Sequence, residues 1–564
     1  MKICFIWAKN FRNFDDIGLN LANDVKFTYD QKRNKISKKH LIQLPENFFG
    51  KNITEVTGMI GKNGTGKSNA LELICKILKG GKSSLRTDFL AIIRNGNEYE
   101  CIYNFNNDDI PATDFTIKFN KYEGSVNPLK VVFFSNVYDD RRNGFDKEIS
   151  DISVNNLART NSPNRTSDFV KQVIFIKSKI FKSLNIDVPT EVQISNRIWI
   201  SKNSSSDYKY GDLFSALRKF YRDRTRDLKD SSRFINLLKY GFFLETFQKL
   251  TRTKNRYSPY DKVSEHLNDY LNTDDLYMYG TDELSDKLLN YLYLIVDETD
   301  YDRLQIFDEE EGMKEISSGR DLIIKQIEFL NDWHYKISDI NPQNSTEGIR
   351  GRFAENFIFK YSSGIYKTFI DDFASLFDSC SFLDINWLGI SSGHKAYLNL
   401  FSSIHSEIRF TRTPNLLLCI DEGDLYLHPR WQIEFFDKLL KVLPSIYSGN
   451  IQLILTSHSP FLLSDLPKQN ITILKRDEIG YSLDGIDLDI NTFGGNLYDL
   501  YAEPFFLGNR RTSDFAYDKI KYLIEKAESK TYTEKEKKDL LKLTNILGDE
   551  IIKFRINSLL KDND

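Results

Sequence analysis

The sequence has few cysteines, no long apolar run and no excess of charge of either sign. Five cysteines are scattered along 564 residues without any C-x-x-C pair: Cys4, Cys75, Cys101, Cys380 and Cys419. This spacing excludes a disulfide framework, and the apolar neighbours of these cysteines predict small buried side chains. Lysine and arginine total 77 against 80 for aspartate and glutamate. That balance excludes a polybasic protein but allows a local basic groove.

No apolar stretch approaches the roughly 18 residues that cross a bilayer. The apolar run at residues 3–8 is also too short for the core of a signal peptide. We therefore expect a cytoplasmic protein without a membrane segment. The length of the chain is sufficient for roughly two or three domain-sized units.

The chain alternates between strand-rich and helix-rich regions. Residues 1–150 are β-prone, and Asn95-Gly96 lies between two apolar runs, which predicts a hairpin. Residues 151–384 read as a globular helical insertion, with helices predicted at 234–250, 282–296 and 321–333. Their apolar residues hold no heptad, which excludes a long coiled coil. Residues 385–505 return to β-prone runs at 415–420, 451–455 and 471–474, and residues 506–564 are helical and charged.

A glycine-rich loop lies between a β-prone run and a helical pattern within residues 55–78. It reads Gly61-Lys62-Asn63-Gly64-Thr65-Gly66-Lys67-Ser68 and fits G-x-x-x-x-G-K-[ST]. Such a loop directs backbone N–H groups at a phosphate, at the positive end of a helix dipole. Lys67 is predicted to reach the β- and γ-phosphates of ATP, and Ser68 to ligate Mg²⁺. An ordinary glycine-rich turn is the alternative, which the strand–loop–helix context disfavours.

Far downstream, the apolar run 416–420 ends in Asp421 and Glu422. Asp421 is predicted to hold Mg²⁺ through water, and Glu422 to polarise the attacking water. Taken alone this pattern is weak, because an apolar run followed by Asp-Glu is common in α/β proteins. Its neighbours in the sequence give it meaning.

Those neighbours resemble motifs of the ABC/SMC-like ATPases. Ser391-Ser392-Gly393-His394-Lys395 is similar to the signature loop, usually written L-S-G-G-Q or L-S-S-G-E. Thr456-Ser457-His458-Ser459-Pro460 is similar to the switch-histidine loop. The residues from Asp424 to Pro429, within the segment EGDLYLHP, resemble the D-loop region of the overcoming-lysogenization-defect group. These motifs fall in the family's order, and the long separation of P-loop and acidic strand fits a head split by an insertion.

The resemblance implies an α/β P-loop head with a large helical insertion and a helical C-terminal tail. It also implies a dimer or higher oligomer in which Ser392 and Gly393 of one protomer face the γ-phosphate held by Lys67 of the other. His458 would contact the γ-phosphate and hold the attacking water. His394 stands where the family has Glu or Gln, and its imidazole could make dimer closure pH-dependent. A helix N-cap without a ligand is the alternative for Ser391 to Lys395.

The family's Q-loop glutamine has no counterpart here. Residues 131–140, VVFFSNVYDD, occupy its place. Ser135 or Asn136 would have to substitute for it, so Mg²⁺ coordination rests on Ser68 and Asp421. We assign no chemistry to His428.

The C-terminal third narrows the resemblance. TFGGN at 492–496, then AEPFFL and LGDEIIKFRINSLL, are similar to bacterial defence ATPases of the Septu type, including those that accompany retrons. This implies a slow antiphage ATPase that holds a separate HNH-type nuclease, with a retron reverse transcriptase and its RNA/DNA as a further partner. We expect no nuclease in the chain itself. Its seven histidines contain no close pair of the HNH kind, and the residues after 474 leave little room for a Toprim domain.

Two other functions stay open at this point. A RecF- or SMC-like repair ATPase would contact nucleic acid directly, through the basic run at Arg218, Lys219, Arg222, Arg224, Arg226, Lys229 and Arg233. Interrupting aspartates favour a solvated, salt-bridged helix face there instead. The second open function is a scaffold that binds ATP and hardly hydrolyses it, since the missing glutamine and His394 would permit slow turnover.

Overall fold

Strands from both ends of the chain meet in one twelve-stranded sheet in the computed structural model of this protein. The structure describes residues 1–81, 85–105, 109–139, 143–159, 167–198, 211–251, 267–271, 273–298, 316–345, 354–362, 364–378, 380–476, 479–488, 491–502 and 512–561. Its strands are β1 (Lys2–Phe11), β2 (Phe14–Asn20), β3 (Val25–Asp30), β4 (Lys35–His40), β5 (Ile53–Ile60), β6 (Phe89–Asn95), β7 (Glu98–Asn104), β8 (Ala112–Thr113), β9 (Lys118–Lys121), β10 (Lys130–Ser135), β11 (Ile149–Asp151), β12 (Glu191–Asn196), β13 (Gln343–Asn344), β14 (Glu355–Lys360), β15 (Leu383–Leu388), β16 (Asn415–Asp421), β17 (Asn450–Ser457), β18 (Ile471–Arg476) and β19 (Gly480–Asp484).

The helices complete an α/β fold. They are α1 (Lys67–Lys79), α2 (Val154–Arg159), α3 (Asp168–Lys177), α4 (Gly211–Arg224), α5 (Asp230–Thr251), α6 (Leu267–Tyr270), α7 (Thr281–Glu298), α8 (Ile316–Ile340), α9 (Ile365–Phe377), α10 (Ser392–Ile408), α11 (Pro429–Ile446), α12 (Phe461–Asp465), α13 (Leu497–Ala502), α14 (Asp514–Ser529), α15 (Glu534–Asn545) and α16 (Glu550–Lys561). Short 3₁₀ helices lie at Phe181–Leu184, Thr273–Met278, Lys468–Asn470 and Gly485–Asp487. The predicted helices at 234–250, 282–296 and 321–333 fall within α5, α7 and α8, and the predicted fold class is confirmed.

The large sheet joins a parallel half to a mostly antiparallel half. Its order is β11-β10-β16-β17-β5-β18-β19-β2-β1-β6-β7-β9, and the strands from β11 to β18 in that order are parallel. Every residue of β16 is buried, as expected for a parallel strand covered on both faces. Because parallel strands end at the same edge, the loops after β5, β16 and β17 come together there.

The predicted hairpin in the antiparallel half is present, with its turn one residue later than the sequence indicated. Asn95 of β6 pairs with Glu98 of β7, so Gly96 and Asn97 form the two-residue turn. Gly96 has φ 60°, a left-handed conformation that glycine adopts without steric cost.

Between residues 151 and 384 the structure adds a second sheet to the predicted helices. Its four antiparallel strands follow the order β13-β14-β12-β15. Sequence analysis missed these strands because they are short and half polar. Helix α3 packs on α10 of the head, with the Phe175 and Phe401 ring centroids 6.4 Å apart. The apolar cores of head and insertion are therefore continuous.

The last three helices, α14 to α16, surround a small apolar core of their own. It consists of Leu523, Ala527, Leu540, Ile556 and Leu560. Thr533 and Glu536 form a reciprocal capping box at the start of α15. None of the helices in the described ranges is long and apolar enough to cross a membrane, and all five cysteines are buried free thiols, as predicted.

Candidate functional site

The glycine-rich loop connects β5 to α1 at the edge where the parallel strands end. Helix α1 begins at Lys67, and its N-cap is Gly66 with φ 102°. A Cβ at Gly66 would lie 2.6 Å from atoms of Asn13 and Phe14, and one at Gly61 would lie 2.4 Å from the Leu474 carbonyl oxygen. Glycine is therefore required at both positions, and the loop is held tightly at a helix N-terminus suited to phosphate.

The Lys67 ammonium is largely removed from solvent. Its Nζ donates to the Gly61 carbonyl oxygen at 3.0 Å and lies 3.3 Å from Nδ1 of His458. Burial lowers the pKa of Lys67 to about 8, although the carboxylates of Glu422 and Asp421 oppose this shift. A phosphate group beside Lys67 would favour the charged form.

The Asp421 carboxylate accepts hydrogen bonds from hydroxyl groups of three other elements. Its Oδ2 accepts from Ser68 at 2.8 Å and from Ser135 at 3.3 Å, and its Oδ1 accepts from Thr456 at 2.6 Å. The side chain is nearly inaccessible, and burial raises its pKa, against the effect of these hydrogen bonds. Thus α1, β10 and β17 all converge on the end of β16.

This donor set fits a magnesium ion. Mg²⁺ prefers oxygen ligands and is usually held by one or two protein groups together with waters and substrate phosphates. Ser68 and Asp421 provide a hydroxyl and a carboxylate in direct contact. No group of three or more His, Cys, Asp or Glu side chains suited to a metal occurs among the described residues.

The side chains of Glu422 and His458 are in contact just after the neighbouring strands β16 and β17. His458 Nε2 lies 2.9 Å from Glu422 Oε1, and the hydrogen bond lowers the pKa of Glu422. Glu422 has φ 49°, an uncommon conformation for a residue other than glycine. Its N–H is fixed by the backbone oxygen of Thr456 at 3.2 Å and the hydroxyl of Thr456 at 3.0 Å.

Ser135 and Asn136, the two candidates for the role of the missing Q-loop glutamine, make different contacts in the structure. Ser135 reaches the Asp421 carboxylate. The amide of Asn136 instead donates to the Gly423 carbonyl oxygen at 3.2 Å. Ser135 is therefore the residue of this segment that contacts the Asp421 carboxylate.

Sequence reasoning missed several residues that shape the site. The Asn13 amide donates to the Thr65 carbonyl oxygen at 3.1 Å, and Arg476 donates to the Gly64 carbonyl oxygen at 3.3 Å. No local motif marks them. Asn13 lies in the turn between β1 and β2, and Arg476 is the last residue of β18, so only the fold brings both to the loop. Thr456 was visible in the switch-loop motif, but its two roles were not.

The signature-like loop forms the start of α10. Ser391 is the N-cap and accepts from the His394 N–H at 3.2 Å, Ser392 is exposed and Gly393 is buried. His394 is 7 % exposed and packs against Trp431. Burial lowers the pKa of His394, which favours the neutral ring. The pH-dependent closure considered from the sequence stays a prediction.

Two further groups have structural contacts. His428 is the N-cap of α11, where its Nδ1 accepts from the Arg430 N–H at 3.3 Å. In the basic run, Arg233 pairs with Glu355 at 2.6 Å and Arg222 with Asp223 at 3.8 Å. These two pairs fit the salt-bridged helix face, and nucleic-acid contact through the basic run stays a prediction.

A P-loop motif, the buried Asp421 carboxylate and the Glu422–His458 pair lie together at one sheet edge, an arrangement typical of a P-loop nucleotide-binding head. Residues 1–463 match the family model of the AAA ATPase domain, and the chain belongs to that family.

Two curated relatives are similar to a shorter part of the chain. The "Retron Vc95 probable ATPase" of Vibrio cholerae serotype O1 biovar El Tor is 32 % identical over 127 residues, which is 21 % of this chain and 23 % of the relative. The "Retron Ec83 probable ATPase" of Escherichia coli is 28 % identical over 130 residues, 22 % of this chain and 23 % of the relative. The matched segment thus spans 23 % of each relative's length.

Proposed function

We propose that this protein binds and slowly hydrolyses Mg-ATP, and that its nucleotide state governs a separate HNH-type nuclease in antiphage defence. The observation that carries the hydrolysis is the contact between His458 and Glu422 beside Lys67. This contact supports the proposal because it would bring a base, its orienting group and a phosphate-binding cation together.

The residues divide the reaction among them. Backbone N–H groups of residues 61–68 and the ammonium of Lys67 bind the phosphates. Ser68 and Asp421 would hold Mg²⁺, which would supply positive charge beside the phosphates. Glu422 accepts the proton of the water that attacks the γ-phosphorus, as its lowered pKa permits. His458 keeps the Glu422 carboxylate in place.

A second protomer would complete the site. Ser392 is exposed at the N-terminus of α10, where helix N–H groups and a hydroxyl suit a phosphate. We propose that Ser392 and Gly393 act on ATP bound by a partner copy, in a dimer or larger oligomer formed through the heads.

The defence role is supported by the relatives, which are named as retron ATPases. We propose the same setting for this chain, with cleavage performed by a separate nuclease and with a retron reverse transcriptase and its nucleic acid as further partners. The Septu-like tail belongs to the same proposal. Part of it, residues 503–507, lies outside the described residues.

ATP turnover and oligomeric state of the wild type and of Glu422→Gln, both with Mg²⁺, test the hydrolysis. We expect slow turnover that Glu422→Gln lowers at least about 10²-fold, together with ATP-stabilised dimers. Tight ATP binding without turnover in either protein would support the scaffold instead. Turnover stimulated by DNA without any nuclease partner would support the repair ATPase.

Co-expression with an HNH nuclease gene found beside this gene tests the partner. We expect a complex whose nuclease activity depends on the nucleotide and on Lys67. Absence of a complex under ATP, ADP and nucleotide-free conditions would contradict the partner while leaving the hydrolysis intact.

A further inference from the structure

His458 stands between two serines that are both anchored on the segment after β16. The Ser457 hydroxyl donates to Asp424 Oδ2 at 2.6 Å, and the Ser459 hydroxyl donates to Gln432 Oε1 at 3.3 Å. Ser457, Ser459 and Asp424 are all buried. The position of His458 is therefore fixed on both sides by contacts with residues 424 and 432.

Gln432 closes this arrangement from its other end. Its Nε2 donates to the Asp424 carbonyl oxygen at 3.3 Å. One amide thus joins the loop that follows Glu422 to the loop that carries His458. The two hydrogen bonds use different atoms of the Gln432 amide, with Nε2 as donor and Oε1 as acceptor. A side chain that lacks either a donor or an acceptor therefore cannot replace it.

The same segment contacts the start of α10. The Tyr397 hydroxyl donates to the Trp431 carbonyl oxygen at 2.8 Å, and the two rings lie 5.1 Å apart. A Cβ at Gly393 would lie 3.4 Å from the Tyr426 carbonyl oxygen and 3.6 Å from the Trp431 ring. A displacement at the N-terminus of α10 would therefore be transmitted to the residue next to Gln432.

We propose that Gln432 is a positioning residue that couples α10 to the Glu422–His458 pair. The inference rests on the proposed ATP hydrolysis and deepens it. Through Gln432 and Ser459, the helix that bears Ser392 and Gly393 controls how closely His458 approaches Glu422. Occupation of that helix N-terminus by a partner's nucleotide then adjusts the base in the protomer's own site.

Gln432→Met tests the proposal, because methionine keeps the length of the side chain and removes both hydrogen bonds. Gln469→Met is the matched control, since Gln469 donates to the Ile42 carbonyl oxygen at 2.9 Å on an exposed part of the molecule. For Gln432→Met we expect kcat to fall about tenfold while the Kd for ATP changes less than about twofold. Gln469→Met should match the wild type in both quantities.

Two further readouts separate positioning from a general loss of structure. Ser459→Ala should add little to Gln432→Met, since both remove one bridge. Tyr397→Phe, which removes the hydroxyl contact with Trp431, should lower kcat about threefold in the wild type and have no effect in Gln432→Met.

The outcomes are distinct for the inference and for the function beneath it. One outcome would overturn the inference alone: the wild type turns over ATP, Glu422→Gln abolishes this turnover, and Gln432→Met leaves it unchanged. Equal losses of kcat and ATP affinity in Gln432→Met, or additive effects with Ser459→Ala, would also overturn it. A wild type without turnover would overturn the proposed hydrolysis and the inference together.

Discussion

The ammonium of Lys67 and the imidazole of His458 are neighbours, with Nζ and Nδ1 3.3 Å apart. A lysine ammonium can only donate a hydrogen bond, and an ionised Glu422 can only accept one. An imidazole that carries a proton only on Nε2 can satisfy both, by accepting from Lys67 at Nδ1 and donating to Glu422 at Nε2. His458 thereby links Lys67 to Glu422.

The pKa of Lys67, about 8, predicts a pH-dependent affinity for ATP. The nucleotide-free protein loses the ammonium charge as pH rises through that value, whereas bound phosphate favours the charged form. Above about pH 8, ATP binding should take up a proton, and affinity should fall by up to about tenfold per pH unit. Calorimetry in buffers of different ionisation enthalpy measures both effects.

Lys67→Arg is the control for this titration, because guanidinium stays charged throughout the range. Its affinity should be weaker but independent of pH. A wild-type affinity that is equally flat would contradict the shifted pKa of Lys67.

His458→Ala is expected to lower kcat about 10²-fold and to change its pH profile. Glu422 must be ionised to accept a proton, and it is ionised above its pKa. Because the hydrogen bond from His458 lowers that pKa, its removal should move the acid limb of kcat to higher pH. Steady-state rates across the acid range measure the shift.

His428→Ala is the control for loss of a histidine near the same loop. His428 caps α11, so its replacement should reduce stability by about 1 kcal/mol and leave the pH profile unchanged. If His458→Ala and the wild type had the same pH profile of kcat, the proposed role of His458 in orienting Glu422 would be contradicted.

The strand–loop–helix arrangement around residues 61–68 could be predicted from the sequence because its signals are local. The glycine pattern occupies eight consecutive residues, and β5 and α1 flank it as expected. Asp421 and Glu422 were predictable only through the order of motifs around them. Their contacts with Ser135 and Thr456 depend on the order β10-β16-β17 in the sheet, which no local pattern encodes.

Other parts of the molecule carried no usable pattern. Strand β12 and strand β14 pair through all six of their residues, yet their partly polar sequences resemble loops. His394 was open to a functional interpretation because a sequence does not show burial. Its contact with Trp431 arises from packing between α10 and α11, which only the fold determines.

Asp421→Asn should stabilise the protein while it abolishes turnover. Burial raises the pKa of Asp421, so the stability that this group contributes falls as pH rises from its unfolded pKa through its folded pKa. Asparagine is neutral and nearly isosteric, and we expect unfolding free energy at pH 7 to rise by about 1 kcal/mol. Thermal unfolding with and without Mg-ATP measures the change.

The exposed Asp437 supplies the comparison for that substitution. Asp437→Asn removes a surface ion pair with Lys441, which should change stability by less than about 0.5 kcal/mol and preserve turnover. If Asp421→Asn were less stable than the wild type at neutral pH, the stabilisation from the hydroxyl hydrogen bonds to Asp421 would exceed the cost of burying its charge. That result would contradict the prediction.

The adjacent serines at the start of α10 are expected to respond differently to the same substitution. Ser391 accepts the capping hydrogen bond, so Ser391→Ala should cost about 1 kcal/mol of stability. Ser392 is exposed, so Ser392→Ala should leave stability within about 0.5 kcal/mol of the wild type. If Ser392 acts on a partner's ATP, this variant should nevertheless lose turnover and the ATP-stabilised dimer.

Mixing two inactive variants decides whether Ser392 acts across a dimer. In a mixed dimer of Lys67→Ala and Ser392→Ala, one composite site carries both substitutions and the other carries neither. Half of randomly paired dimers are mixed and each has one intact site, so about a quarter of wild-type turnover should return. Action of Ser392 on the ATP of its own protomer would leave every site with one substitution, and the mixture would stay inactive.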